Sequence, residues 1–119
     1  MGNKKKTAPP LDGRILDRLF DVVESRKKAD ANDSYTAKLM QRGLPKVAQK
    51  VGEEAVEAVI EAVLGRKGKL AAESADLLYH LTVLWALAGL KPEDIWEALA
   101  DREGKSGLEL KAAEVEAQG

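Results

Sequence analysis

The chain has no cysteine among its 119 residues, which excludes disulfides and any thiolate metal site. It has a single histidine, His80, so no zinc site can be built on several imidazoles within one chain. Neither sign of charge prevails: 19 Lys and Arg stand against 20 Asp and Glu, a formal net charge of −1. That balance points to neither nucleic acid nor a membrane surface as partner, although basic clusters stand at Lys4–Lys6 and Arg26–Lys28. The start, MGNKKKTAPP, carries charge with no apolar core after it, so no signal peptide is expected. Residues 77–90, LLYHLTVLWALAGL, are apolar but too short to span a bilayer, and Tyr79, His80 and Thr82 interrupt them. The expectation is a cytoplasmic protein with one modest core.

Residues 1–11, with three lysines and the Pro9-Pro10 pair, read as a flexible tail. From Asp12 to Ala29, Ile15, Leu16, Leu19, Phe20, Val22 and Val23 recur at helical spacing. Asn32, Asp33 and Ser34 then offer N-caps for a short helix, YTAKLMQ, that ends at Gly43. Pro45 suits the first turn of the next helix, expected to Leu64 and stopped by Gly65 and Gly68. A further helix is expected over Leu70–Leu90, apolar nearly all round and hence buried on most faces. Pro92, Glu93 and Asp94 open a last one, to about Arg102. Residues 103–119 read as a C-terminal tail with weak helical character around Leu108–Ala117. Nothing alternates with period two. The expected fold is all-α, an antiparallel bundle of about four to five helices over residues 12–102.

Residues 50–62, KVGEEAVEAVIEA, gather Glu53, Glu54, Glu57 and Glu61 on an apolar helix with no cation between the first and the last. At about 100° per residue, Glu54 and Glu57 project about 60° apart and Glu53 and Glu57 about 40° apart. In the next helix Glu73 and Asp76 repeat the three-residue spacing, within AAESADLLYHL. A hairpin about GRKGK would bring Glu54, Glu57, Glu73 and Asp76 together. Unit charges about 4 Å apart repel by roughly 4 kcal/mol at an effective dielectric near 20, so the group must protonate, pair or bind metal. A Glu-x-x-Glu on a helix is common on solvated faces. The second pair tips the balance, because it lies in a helix with little polar surface to spare. Oxygen-only ligands suit magnesium or manganese, ions that accompany phosphate chains, and such a site would hydrolyse a nucleotide polyphosphate. Glu61 reads as a solvated or salt-bridged bystander.

His80, one turn beyond Asp76, is placed to bond that carboxylate or to touch substrate, though a lone histidine in an apolar helix is often a core residue. Lys50 reads equally as a phosphate ligand or as an ion pair with Glu54 at i,i+4. Trp85 and Trp96 read as core or subunit packing, and Ser34-Tyr35-Thr36 on its own as a helix cap.

SYTAKL at 34–39, Gly43, QKVGEEAVEAV at 49–59 and ESADLLYHLTVLW at 73–85 resemble the phosphoribosyl-ATP pyrophosphatase family. The acid pattern alone resembles the wider all-α NTP pyrophosphatase (MazG-like) superfamily, and SYTAKL with DLLYHL narrows it. The resemblance spans residues 12–102. It implies magnesium, with manganese as the alternative, on Glu54, Glu57, Glu73 and Asp76. It implies catalytic roles for Glu53, Glu54 and Glu57, with Glu53 an accessory or proton-accepting residue. It implies substrate contacts by Lys50, Ser34, Tyr35 and Thr36, to which the position of His80 adds that residue as a candidate. The implied reaction is hydrolysis of 1-(5-phosphoribosyl)-ATP to phosphoribosyl-AMP and pyrophosphate, the second step of histidine biosynthesis, in a homodimer. The residues by themselves leave two other readings open: a pyrophosphatase acting on NTPs or dNTPs, and a non-catalytic helical interaction module.

Overall fold

A computed structural model describes residues 8–103. Most of the expected N-terminal tail (1–7) and nearly all of the C-terminal tail (104–119) lie outside the described residues. Among the described residues the fold is all-α, with five helices: α1 (Arg14–Ser25, followed by a 3₁₀ turn over Arg26–Lys28), α2 (Tyr35–Gln41), α3 (Leu44–Val63), α4 (Lys67–Ala88) and α5 (Pro92–Ala100).

Local chemistry sets the boundaries. The Ser34 hydroxyl accepts from the Ala37 N–H at 3.2 Å and opens α2. Pro45 lies in the first turn of α3, as expected. Gly65 takes φ +71 between α3 and α4, a conformation that penalises any side chain, and so closes a turn of only Leu64–Arg66. That turn is tighter than the one expected from GRKGK. Gly68 lies inside α4 rather than stopping α3, and α4 starts three residues before Leu70. The other end of α4 stops at Gly89, also left-handed at φ +80. The Lys91 N–H donates to the Asp94 carboxylate at 2.9 Å and starts α5.

The core lies where α1, α2, the start of α3 and the C-terminal half of α4 converge. Phe20, Val23, Leu39, Val47, Val83 and Ala86 are buried there, with Met40, Tyr79, Leu84, Trp85 and Leu87 packed around them. Burying each large side chain contributes about 1.5–3 kcal/mol. The two tryptophans are packing residues: Trp85 and Trp96 meet edge-on with ring centroids 6.3 Å apart. The indole N–H of Trp96 donates to Asp17 at 3.1 Å and fastens α5 to α1, a bond that contributes about 1–2 kcal/mol.

The long hairpin α3–α4 departs from expectation in its burial. In α4 the buried residues, His80, Thr82, Val83 and Ala86, all belong to the C-terminal half. Towards the turn, Leu78 is exposed, and α3 leaves Val56, Val59, Ile60 and Val63 open to solvent. These four recur at i, i+3, i+4 and i+7, so they form one stripe. Among the described residues nothing covers that side of the hairpin.

Candidate metal and active site

Glu54 and Glu57 project from α3, and Glu73 projects from the facing turn of α4. One oxygen from each lies within 4.8 Å of the others. The pairing of Glu57 with Glu73, and of Glu54 with His80 further from the turn, shows the two helices running antiparallel. Two oxygens of these acids, Glu54 Oε2 and Glu73 Oε2, are buried and without a hydrogen-bond partner. Buried carboxylate oxygens left in this state are costly unless a proton or cation serves them. Proton sharing with Glu73, the Glu73 charge, loss of water and the charge of Glu53 together push the Glu57 carboxyl above its ordinary value. For Glu73 the interaction with Glu57 pulls downward, while Glu54, loss of water and the Asp76 charge outweigh it, and the net direction is also up. Three hard oxygen donors, orphaned lone pairs and mutual repulsion fit a divalent cation.

The other expected site residues fall around this centre. Asp76, one turn on from Glu73, is exposed and stands outside the three-carboxylate group, acting on it through its charge. Glu53 is exposed beside Glu57. Glu61 forms an ion pair with Arg66 at 3.3 Å, one of the two states its sequence context suggests. Lys50 is half-buried and forms no ion pair with Glu54. His80 is buried, and its Nδ1 bonds the backbone carbonyl of Asp76 at 2.8 Å rather than the carboxylate. A carbonyl only accepts, so Nδ1 carries the proton, and it points within 3.9 Å of Glu54 Oε1. Ser34 spends its hydroxyl on the α2 cap, and Tyr35 is exposed. Thr36 reaches α4, where its hydroxyl lies 2.6 Å from that of Tyr79.

Tyr79 escaped the sequence reading as a site residue. The signal available was a hydroxyl-bearing ring set in the apolar run beside His80, which resembles ordinary core aromatic packing. A cleft of 210 Å³ adjoins the acids, lined by Glu57, Ile60, Glu61, Arg66 and Glu73. A larger cleft of 540 Å³, between α1 and the start of α5, shares none of these residues.

Residues 16–103 match the family model described as phosphoribosyl-ATP pyrophosphohydrolase. The chain belongs to this family. It is 62% identical over 103 residues to a phosphoribosyl-ATP pyrophosphatase of Azospirillum brasilense, a match covering 87% of this chain and 93% of that protein. The protein of the same name from Parvibaculum lavamentivorans is 57% identical over 102 residues, covering 86% and 94% respectively. That of Gluconobacter oxydans is 56% identical over 99 residues, covering 83% and 74%. All three acids of the cluster lie inside the matched family segment.

Proposed function

We propose that the chain hydrolyses 1-(5-phosphoribosyl)-ATP between its α and β phosphates, giving phosphoribosyl-AMP and pyrophosphate, the second step of histidine biosynthesis. The observation that carries this reading is the convergence of Glu54, Glu57 and Glu73 in a member of this family. The ion is magnesium, with manganese as the alternative. Glu54, Glu57 and Glu73 would hold it, with Asp76 completing the acidic set one turn on. When bound, such an ion neutralises phosphate charge and acidifies water. The residues of the chain supply the rest. Glu53, exposed beside the cluster, accepts at its carboxylate the proton of the attacking water. Lys50, unpaired with Glu54, offers its ammonium to a phosphate. The His80 imidazole, anchored through Nδ1, borders the site at Glu54. Tyr35 and Thr36 face the nucleoside, and Ser34 holds them by capping α2.

Phosphoribosyl-ATP incubated with magnesium is expected to release pyrophosphate, and EDTA to abolish the release. Release of orthophosphate in its place would contradict cleavage between α and β.

The catalytic unit is residues 12–102, working in the cytoplasm as a homodimer. Supporting the dimer, the open stripe Val56, Val59, Ile60 and Val63 lies on the helix that carries Glu54 and Glu57. A two-fold contact would set the same stripe on both sides and finish the bundle. Light scattering should give twice the chain mass of 12.9 kDa. The double variant Val59→Lys/Val63→Lys should give that single mass.

A further inference from the structure

The acids account for cleaving a phosphoanhydride but not for choosing which nucleotide is cleaved. Two stretches outside the acid pattern meet at Tyr79. Its hydroxyl and that of Thr36 are 2.6 Å apart. Loss of water raises the Tyr79 hydroxyl above its ordinary 10.0, so it keeps its proton and serves Thr36 as a hydrogen-bond partner. Its ring stands 6.4 Å from that of Tyr35, tilted by only 24°. The same ring meets the His80 imidazole edge-on, with centroids 5.1 Å apart. His80 in turn reaches to 3.9 Å from Glu54. A continuous line of groups therefore runs from the reacting acids to an open ring, since Tyr35 is 59% exposed. An exposed tyrosine that fills no core position, backed by a second ring tied to its own helix, offers a face to a planar ligand.

The substrate of the proposed function, on which this inference rests, supplies such a ligand: an adenine bearing a ribosyl group at N1. Alkylation at N1 makes the ring a stronger base, so it carries positive charge near neutral pH, as the adenine of ATP does not. A cation over a tyrosine face is drawn by the ring quadrupole, and stacking adds to the attraction. We propose that Tyr35 and Tyr79 form an aromatic shelf that receives the N1-substituted adenine and favours it over plain nucleoside triphosphates. Tyr35 touches the base. Tyr79 is a positioning residue that holds α2 against α4 through Thr36.

The test measures hydrolysis of phosphoribosyl-ATP with two competing inhibitors, N1-methyl-ATP, which carries the charged ring alone, and ATP. The unaltered protein should bind N1-methyl-ATP about fivefold to tenfold more tightly than ATP. Tyr35→Phe keeps the ring and should keep that ratio. Tyr35→Leu should bring the ratio to about one and raise KM for phosphoribosyl-ATP about tenfold, with kcat within about twofold. Tyr79→Phe should raise the same KM about threefold with kcat kept. Because Tyr35 is exposed, its truncation leaves no hole in the core. An inhibitor ratio near one in the unaltered protein, or a ratio that survives Tyr35→Leu, overturns the shelf while leaving the proposed function standing. An unchanged KM in Tyr79→Phe overturns the positioning role. No hydrolysis of phosphoribosyl-ATP by the unaltered protein overturns the proposed function and the shelf with it.

Discussion

Glu57→Gln is expected to cut magnesium-dependent pyrophosphate release about a thousandfold, while helical content stays the same. The side chain keeps its size and loses only its charge, and Glu57 is exposed, so no core packing is disturbed. What is lost is one of three hard donors that meet within 4.8 Å. The same change removes a carboxyl that the charges of Glu73 and Glu53 disfavour in its ionised form, so the metal-free variant should be slightly more heat-stable than the unaltered protein. Lower activity with higher stability is the signature of a charge cluster kept for chemistry. A variant that retained full activity would remove Glu57 from the metal site, and one that lost its helicity would leave the residue a structural role instead.

Saturating magnesium is expected to raise the melting temperature by about 10 °C near neutral pH and by almost nothing near pH 4. The direction follows from the two raised carboxyls, Glu57 and Glu73. An acid whose value in the folded state exceeds its ordinary 4.5 binds its proton more tightly when folded. That contribution to stability is complete below the ordinary value and is lost as the pH rises through the raised one. Above that window Glu57 and Glu73 are ionised and repel each other, and a divalent cation relieves the repulsion. Below it protons already occupy Glu57 and Glu73, and the ion loses two of its three donors. Differential scanning calorimetry across pH, with magnesium and with EDTA, checks both limbs. A magnesium effect equal at both pH values, or equally large in Glu57→Gln, would place the ion elsewhere.

The helices were legible because apolar spacing, Ser34, Pro45, Pro92 and the glycines announce them. The acids were legible because charge on so apolar a pair of helices needs a reason. The exact facing of α3 and α4 was not, since Gly65 and Gly68 are equal candidates for the break and only the backbone shows that Gly65 turns while Gly68 stays helical. Asp76 illustrates the consequence: its spacing from Glu73 matches that of Glu57 from Glu54, yet its carboxylate stands off the group of three. The spacing of His80 allows a bond to the Asp76 carboxylate, a contact with substrate or a core position, and the helix offers its Nδ1 the carbonyl four residues back, a partner that sequence spacing always provides and never advertises. Tyr79 was hidden for a related reason. Its partner Thr36 is 43 residues away, and no local pattern reports a contact across that distance.

Both indoles of the chain sit together, Trp85 against Trp96, with the latter bonded to Asp17. Trp85 is twelve residues along α4 from Glu73, about 18 Å at the helical rise. The molecule therefore carries its own optical probe at the junction of α1, α4 and α5, remote from the carboxylates. Tryptophan emission will follow the melting of that junction without being quenched directly by a cation held at the carboxylates.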